Sequence, residues 1–399
     1  MNIFKKVYCR IFQTGFYIAL PFLPYREPKI YQSVEEIPNI LKNQNIKSIL
    51  LVTDKVLRDL GISKPLETAL NKNNINCIIY DETLPNPTTE NVEDARKIYL
   101  ENNCQAIVTI GGGSSIDCAK AVGARISRPK KSLDKLKGLL KVRRKLPLLI
   151  AIPTTAGTGS EVTVASVITD SDTHHKYTIL DFNLIPEIAV LDPSCTLSLP
   201  PHLTSTTGMD ALTHAVEAYI GRSTTIDTRK KAIEAIKLIF NNIEKVYNNG
   251  NDLDARLNML KASYLAGSAF SKSYVGYVHA VAHSLGGQYN IPHGLANAVI
   301  LPIVLKEYGS SVYKKLDFLA KQVGISNKDE SKEIGANKFI DAILSLNNKM
   351  NIPNAIKNIK DEDIELMAKY AEKEANPLYP VPKLLNKEEL KKIYYKLKN

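Results

Sequence analysis

The sequence is poor in cysteine and has no cysteine pair of the kind that binds zinc or carries redox chemistry. Its 399 residues include five cysteines, an odd number, spread widely along the chain without a CxxC spacing. This pattern excludes a zinc finger and argues against the disulfide framework of a small secreted domain. It favours a protein that works in the reducing cytoplasm.

The sequence also lacks a hydrophobic run long enough to span a membrane. The apolar stretch GFYIALPFLP near the N-terminus has ten residues, two of them proline, and no small-x-small cleavage site follows it. Because the basic residues Lys5, Lys6 and Arg10 precede it, a membrane-surface or targeting role stays open. We favour an N-terminal arm, residues 1–30, that packs on its own domain or on a partner subunit.

Acidic residues are scarce in residues 128–147. This segment has nine Lys or Arg residues against the single acidic residue Asp134, and so carries most of the formal net charge of +11. Nucleic-acid binding is one interpretation, but the segment lacks the interleaved aromatic residues that stack on bases. A solvated basic loop, or one that attracts an anionic cofactor, is the better interpretation.

The pattern of the chain changes half-way, and the chain is longer than one hydrophobic core usually serves. Up to about residue 200, short β-rich apolar runs alternate with helical stretches, which predicts a largely parallel sheet with helices on its faces. The predicted strands are residues 48–54, 75–81, 105–113, 147–155 and 187–193. After the double proline Pro200–Pro201 the predicted elements are helices, namely residues 211–219, 228–242, 253–270, 278–285, 297–308 and 387–398. The sequence therefore predicts an α/β domain over residues 31–200 and an all-α domain over residues 201–399.

A glycine-rich loop follows the third of these predicted strands. In GGGSSIDCAKA, three glycines precede a helix that we expect to begin near Ser115, with Ser114 as its cap. Glycine lets the backbone approach a phosphate closely, and a helix N-terminus attracts negative charge. The dinucleotide fingerprint GxGxxG is incomplete, because Ile116 stands at its third glycine. A phosphorylated cofactor is therefore indicated, with a purely structural turn as the alternative.

A second loop, PTTAGTGSE from Pro153 to Glu161, offers hydroxyls and backbone donors suited to phosphate or ribose. Parallel strands end at the same edge of a sheet, so we expect both loops to face one crevice there. Asp54, at the end of the first predicted strand, could accept hydrogen bonds from an adenosine ribose and repel a 2′-phosphate, which would favour NAD over NADP. It could equally do no more than cap the helix that opens at Lys55.

Four of the seven histidines lie in two short stretches of the second domain. Asp210 and His214 are four residues apart, as are His279 and His283, so each pair shares one face of a helix. His293 follows a Gly-Gly turn that would bring it back beside them. One carboxylate with two or three imidazoles suits Fe(II), Zn(II) or a similar divalent ion, and a buried core without metal is the alternative. A divalent metal can lower the pKa of an alcohol, and a nicotinamide held nearby can take the hydride. The predicted metal site and the predicted cofactor site together therefore indicate alcohol oxidation.

Taken together, these motifs resemble those of the iron-containing (group III) alcohol dehydrogenases. The resemblance runs from about Lys47 to at least Pro302. It is carried, in family-like order and spacing, by GGGSSIDCAKA, PTTAGTGSEVT, LDP, TGMDALTHAVEAY and VHAVAHSLGGQYNIPHGLANAVILP. It implies a dinucleotide-binding domain and a helical metal-binding domain, the fold shared with dehydroquinate synthases, with the active site in the cleft between them.

The resemblance also implies roles for single residues. The metal ligands would be Asp210, His214, His279 and His293. His283 would be a histidine near the substrate and the nicotinamide that binds no metal and relays a proton. The residues that contact NAD would be Asp54, Asn86, Gly112, Gly113, Ser114, Thr154, Thr155, Thr158 and Lys176. The histidines outside the motifs, to which we assign no function, are His174, His175 and His202.

The leading hypothesis is an NAD-dependent, divalent-metal-dependent enzyme that interconverts small primary alcohols or diols with aldehydes. Fe(II) is the family expectation, and Zn(II) or another divalent ion would find the same ligands acceptable. A glycerol dehydrogenase or dehydroquinate synthase on the same fold is the alternative enzyme. Nucleic-acid or membrane-surface binding through residues 128–147 is the non-enzymatic alternative.

For the assembly, we expect a homodimer or higher homo-oligomer without a membrane span or a nucleic-acid partner. In the family, an N-terminal strand with a glycine-containing turn contributes to dimer formation. Here the corresponding stretch, YREPKIYQSVEEIPNIL, has no glycine and follows an arm of about thirty residues.

Overall fold

The structure of the chain, a computed structural model, describes residues 1–173 and 175–398. His174 and Asn399 lie outside the described residues. The chain divides into two compact units, Pro24–Leu199 and a second unit that joins Met1–Leu23 to Pro200–Asn399. The first 23 residues of the predicted arm, with helix α1 (Ile3–Ala19), therefore group with the second unit.

The first unit contains two sheets. Its strands are β1 (Lys29–Tyr31), β2 (Ser48–Val52), β3 (Asn76–Tyr80), β4 (Ala106–Gly111), β5 (Gly138–Leu139), β6 (Leu148–Pro153), β7 (Ala165–Thr169), β8 (Lys176–Leu180) and β9 (Ile188–Val190). Six of them form a parallel sheet in the order β1-β9-β6-β4-β2-β3. The other three form a small sheet in the order β5-β8-β7, in which β7 and β8 are antiparallel. The predicted α/β class is confirmed, and the small sheet is an addition that the sequence pattern did not predict.

Helices cover both faces of the parallel sheet. They are α2 (Ile37–Lys42), α3 (Lys55–Asp59), α4 (Lys64–Lys72), α5 (Thr89–Glu101), α6 (Gly113–Ser127) and α7 (Leu133–Leu136). Successive residues of β2 alternate between two apolar cores: Leu50 belongs to one core with α5 and α6, and Leu51 to the other with α2 and α4. Burial on both faces explains why the central strands read as continuous apolar runs.

The second unit is all-helical. After α1, its helices are α8 (Pro201–Ile220), α9 (Ile226–Asn248), α10 (Leu253–Ser273), α11 (Tyr277–Tyr289), α12 (His293–Tyr308), α13 (Tyr313–Gln322), α14 (Lys332–Lys349), α15 (Asp361–Ala375) and α16 (Lys387–Lys398). Every residue of α8 from Gly208 onward is buried, which is typical of a helix at the centre of a bundle. A Cβ at Gly208 would lie 2.7 Å from Ile243 Cδ1, so the glycine allows α8 and α9 to pack closely. Within the described ranges, none of the helices is long and apolar enough to cross a bilayer.

The chain reverses between α11 and α12 at a place that the sequence analysis put too early. Gly286 and Gly287, predicted to form the turn, lie inside α11. The helix ends at Tyr289, the capping residue Asn290 adopts the left-handed conformation with φ of 57°, and Pro292 precedes the first residue of α12. Asparagine tolerates this conformation better than most residues, and proline is favoured beside a helix start, so these two residues make the turn.

The basic segment, residues 128–147, folds on itself. The guanidinium of Arg128 donates to the backbone carbonyls of Val142 and Arg143, and the Lys131 ammonium donates to the carbonyl of Lys141 at 3.1 Å. These charges hold the loop around α7 and β5.

Candidate functional site

Four side chains of the helical unit, one carboxylate and three imidazoles, converge on one point. They are Asp210 and His214 of α8, His279 of α11 and His293 at the first position of α12. One ligand atom from each of the four lies within 4.8 Å of the other three. Around a tetrahedral ion with ligand bonds of about 2.1 Å, neighbouring ligand atoms lie about 3.4 Å apart, so the most widely separated pair would have to close by up to about 1.4 Å to seat one.

The four side chains differ in their exposure. Asp210 Oδ1 lies 3.5 Å from His293 Nε2 and 4.0 Å from His279 Nε2. The His214 ring stacks between His279, at 4.5 Å between centroids, and Phe270, at 4.1 Å. Three of the four are buried, whereas the His293 side chain is 38% exposed. A substrate can therefore approach the cluster at His293.

Asn297 of α12 lies among the ligand atoms, although the sequence analysis did not single it out. Its Nδ2 donates to Asp210 Oδ1 at 2.7 Å and lies 3.0 Å from His293 Nε2 and 3.3 Å from His279 Nε2. Its Oδ1 is buried without a hydrogen-bond partner among the described residues. Rotation of the amide by 180° would point this oxygen at the ligand atoms, where a cation or a protonated imidazole nitrogen would be a suitable neighbour. The orphaned oxygen and the mixed oxygen and nitrogen donors therefore fit a bound divalent ion.

Glu217 of α8 supports the cluster from behind. It accepts hydrogen bonds from His279 Nδ1 at 2.6 Å and from the backbone N–H groups of Gly276 at 2.7 Å and Val278 at 2.8 Å. A carboxylate on the far nitrogen of an imidazole fixes its tautomer and orientation, as it does behind metal-binding histidines. Burial raises the pKa of Glu217 to about 7. Burial and the neighbouring imidazoles lower the pKa of His279, which keeps it neutral as a metal ligand must be.

His283 of α11 lies beside the cluster but is not one of the four converging side chains. Its ring stacks on His293 at 5.3 Å between centroids, and its Nδ1 lies 2.6 Å from Glu374 Oε1. The Tyr379 hydroxyl donates to the same carboxylate oxygen at 2.6 Å. Desolvation alone would lower the pKa of His283, but the charge and hydrogen bond of Glu374 outweigh it and raise that pKa. Glu374 of α15 lies beyond the motifs that carry the resemblance, and the sequence analysis did not single it out.

In the α/β unit, the two glycine-containing loops follow the neighbouring strands β4 and β6. The register pairs Gly111 with Pro153, so both loops leave the sheet at the same edge. A Cβ at Gly113 would lie 2.9 Å from Thr158 Cγ2, which shows how closely the loops approach one another. At this edge the N-terminus of a 15-residue helix, α6, faces hydroxyl-bearing residues of the second loop.

The predicted cap of α6 is wrong. The helix begins at Gly113 with Gly112 in the capping position, and no side chain of the described residues caps it. Ser114 Oγ donates instead to the carbonyl of Pro85 at 2.5 Å, beside Asn86. Without a Cβ or a capping side chain at Gly112, the first N–H groups of α6 are accessible to an anion.

The other predicted cofactor contacts lie around the same loops. Thr154 N donates to the carbonyl of Gly111 at 3.0 Å, and a Cβ at Gly112 would lie 3.5 Å from the Thr155 methyl. Lys176 begins β8 and pairs with Thr169, whose N–H donates to the carbonyl of Pro87 next to Asn86.

Asp54 has a structural role. Its carboxylate caps α3 by accepting from Leu57 N at 3.0 Å, and Ser115 Oγ lies 3.5 Å from its other oxygen. The capping alternative is thus present, and a ribose would have to share this carboxylate.

A buried lysine that the sequence analysis missed fixes the second loop. Lys120 of α6 donates to Ser160 Oγ at 3.2 Å and to the carbonyl and hydroxyl of Thr163, both at 3.0 Å. Ser160 Oγ in turn donates to Asp117 at 2.6 Å. Burial lowers the pKa of Lys120 to about 8 and raises the pKa of the neighbouring Glu161 to about 7. These contacts attach the loop to the helix that begins at the other loop.

Comparison with known proteins finds matches to the same family in both units. A sequence model described as "Iron-containing alcohol dehydrogenase" matches residues 29–193, and one described as "Fe-containing alcohol dehydrogenase family, C-terminal" matches residues 204–397. Alcohol dehydrogenase 4 of Saccharomyces cerevisiae is 39% identical over 362 residues, which cover 90% of this chain and 92% of that protein.

Two further relatives extend the comparison. The NAD-dependent methanol dehydrogenase of Bacillus methanolicus is 36% identical over 341 residues, 85% of this chain and 89% of that protein. Among solved structures, the crystal structure of a 1,3-propanediol oxidoreductase has a TM-score of 0.89 at 35% identity and covers 94% of this chain and 99% of that one.

Proposed function

Because the chain belongs to the iron-containing alcohol dehydrogenase family, we propose that it is an NAD-dependent, divalent-metal-dependent dehydrogenase. It interconverts small primary alcohols or diols with aldehydes. The observation that carries this proposal is the convergence of one carboxylate and three imidazoles within 4.8 Å. The names of its relatives, a methanol dehydrogenase and a propanediol oxidoreductase, support short primary alcohols and diols as substrates.

The metal ligands are Asp210, His214, His279 and His293, in the helical domain of residues 201–399. Fe(II) is our first choice, and Zn(II) or another divalent ion also fits one carboxylate and three imidazoles. When both are bound, the metal supplies Lewis-acid polarisation of the alcohol oxygen and NAD supplies the hydride acceptor.

His283 carries the proton in this proposal. Glu374 occupies its Nδ1, so Nε2 is the nitrogen that exchanges a proton with the substrate or solvent. The side chain is 44% exposed, which gives that proton a route to water. The carboxylate thus positions the imidazole, and the imidazole relays the proton.

NAD binds to the domain of residues 31–200. The N–H groups of Gly113 and Ser114 at the start of α6 receive the pyrophosphate, with Gly112 leaving room for its approach. The remaining contacts that we propose are Asp54, Asn86, Thr154, Thr155, Thr158 and Lys176. All five cysteines are free thiols, which supports the cytoplasm as the place of action.

An activity panel tests the proposal. The full chain, loaded with Fe(II) or Zn(II), is assayed by NADH absorbance with primary alcohols of two to six carbons, diols and glycerol, and with NADP in place of NAD. We expect turnover of a short alcohol or diol with NAD and less with NADP. A metal-loaded protein that binds NAD but oxidises none of these substrates would contradict it, and turnover of glycerol alone would favour a glycerol dehydrogenase.

A further inference from the structure

Helix α1 presents an apolar face to solvent. The large apolar side chains exposed on α1 and the turn after it are Ile3, Phe4, Val7, Tyr8, Ile11, Phe12, Tyr17, Ile18 and Phe22. The opposite face, with Cys9 and Gln13, is buried. A helix on the surface of a domain normally buries its apolar residues and exposes its polar ones, so this arrangement is inverted.

The buried face of α1 is fixed to the helical unit by specific contacts. The Arg10 guanidinium donates to the carbonyls of Val381 at 2.7 Å and Pro382 at 3.0 Å, and Gln13 Nε2 donates to the carbonyl of Tyr379 at 2.7 Å. These contacts determine which face of α1 points outward. The exposure of the apolar face is therefore a consequence of how the helix is attached.

The exposed residues follow the pattern of a helix–helix contact. We define the N-terminal seam as Phe4, Tyr8, Ile11, Gly15, Ile18 and Phe22. Their spacing alternates between four and three residues, which is the repeat of a coiled-coil seam. Binding to a lipid surface does not require the apolar residues to form such a narrow stripe along the helix, whereas packing against a single facing helix does.

The seam is also symmetric in sequence about residue 13. In an antiparallel pair of identical helices, Phe4 would face Phe22 of the second copy, Tyr8 would face Ile18, and Ile11 would face Gly15. Outside its own helix, no described atom lies within 4 Å of a Cβ built at Gly15, so the glycine leaves a hole for the isoleucine of the other copy. We propose that the N-terminal seam packs antiparallel against the same seam of a second copy, forming a two-fold symmetric interface.

The size of the apolar face is sufficient for a stable contact. With aromatic side chains of about 150–250 Å² each, the exposed seam and its flanking residues present roughly 850 Å² of apolar surface. A standard interface takes about 800 Å² from each partner, and the largest apolar patch of an ordinary monomer is about 300–600 Å². The seam carries no charged residue, so two copies meet without repulsion.

The contacts of two of the three basic residues of α1 favour a second copy over an anionic membrane, whereas the third, Lys6, is exposed. Lys5 pairs with Glu372 at 2.7 Å, and Arg10 is engaged with the carbonyls described above. Lipid headgroups would have to compete with these intramolecular partners. A helix that binds anionic lipid needs such charges at the edge of its apolar face.

Measurement of molar mass by light scattering tests the interface in the full chain. Ile11→Glu places one charge from each copy in the seam, and we expect it to halve the mass of the assembly and to weaken association more than about a hundredfold. Ile226→Glu is the matched control, since Ile226 and Ile11 are both 68% exposed, and it should leave the mass unchanged. A wild-type monomer at micromolar concentration, or an assembly whose mass Ile11→Glu does not change, would overturn the proposal.

Gly15→Leu distinguishes a second copy from a lipid surface as the partner of the N-terminal seam. It adds apolar surface without a clash inside the chain, but fills the hole that Ile11 of the second copy needs. We expect it to weaken association between copies and to leave the melting temperature of the separated chains unchanged. Binding of the wild-type chain to phosphatidylcholine–phosphatidylserine vesicles that Gly15→Leu strengthens, with no change in mass, would assign the face to lipid and overturn the proposal.

Cross-linking tests the orientation. Positions 4 and 22 are about 27 Å apart along α1 and the turn after it, far beyond the reach of a disulfide within one chain. Under mild oxidation, the double variant Phe4→Cys/Phe22→Cys should therefore form covalent dimers. Phe4→Cys alone should not, and efficient dimer formation by that single variant would overturn the antiparallel orientation.

Discussion

Substitution of Glu217 by glutamine should weaken metal binding although residue 217 is not a ligand. The carboxylate holds His279 Nδ1 at 2.6 Å and also accepts from two backbone N–H groups. Glutamine keeps the volume but turns an N–H donor toward at least one of these three donors. Loss of one buried hydrogen bond to a charged group costs about 1.5–3 kcal/mol. Loss of the partner behind a metal-binding histidine lowers the metal affinity about 10–100-fold, which corresponds to about 1.4–2.7 kcal/mol of binding free energy.

Competition with a chromogenic chelator for Zn(II) measures this affinity. Glu374→Gln is the matched control, because Glu374 also lies 2.6 Å from an imidazole nitrogen but serves His283. It should leave the affinity unchanged while it alters the rate. Equal metal affinity of Glu217→Gln and the wild-type chain would refute the reasoning. So would an equal loss in both variants.

A second substitution, at a glycine whose backbone N–H donates to Glu217, should disturb the same carboxylate. A Cβ at Gly276 would lie 2.6 Å from Glu217 Oε1, so Gly276→Ala should displace the carboxylate and weaken metal binding in the same way. Because both changes remove one interaction, the double variant should lose less than the sum of the two single losses.

Three further predictions concern the cofactor, the rate and the pH dependence of stability. Gly113→Ala should weaken NAD binding in a fluorescence titration, because its Cβ would lie 2.9 Å from Thr158 Cγ2, and adding Thr158→Ser should restore part of the affinity by removing that methyl group. His283→Ala should keep the metal and lower kcat about 10²–10⁴-fold, as measured by metal analysis and NADH formation on the same samples. Burial raises the pKa of Glu161 to about 7 from 4.5, so the folded chain holds this proton more tightly than the unfolded chain. The free energy of unfolding should therefore fall as the pH rises from 4.5 to about 7, and in urea titrations Glu161→Gln should remove about 1–3 kcal/mol of that fall.

The sequence predicted the framework of both units because their signals are local. Strands β2, β4 and β6 are continuous apolar runs, and such runs between helical stretches indicate a parallel sheet. The helix ends were predicted less well. Helix α8 begins at Pro201, ten residues before the predicted start, because proline is favoured at a first helical position and the polar residues after it gave no apolar period. The turn before His293 was misplaced because glycines inside a helix look like a turn in sequence.

The residues behind the metal cluster could have been found in part. Glu217 is seven residues after Asp210 and Asn297 is four after His293, so helical spacing alone places each on the face of a predicted ligand. Glu374 gives no such signal, because it lies 91 residues from His283 and only the packing of α15 against α11 brings them together. Lys120 is similar, since its partners belong to a loop forty residues away.

The most direct test of the metal centre is the relation between metal content and rate. The chain is stripped with a chelator and reloaded with Fe(II) or Zn(II) in steps, and metal per chain and NADH formation are measured on each sample, with His214→Ala as the variant that lacks one ligand. We expect a rate that rises from zero in proportion to bound metal and reaches its limit at one ion per chain, with little metal and little rate in the variant. Full alcohol oxidation by the metal-free chain, or by His214→Ala without bound metal, would contradict it.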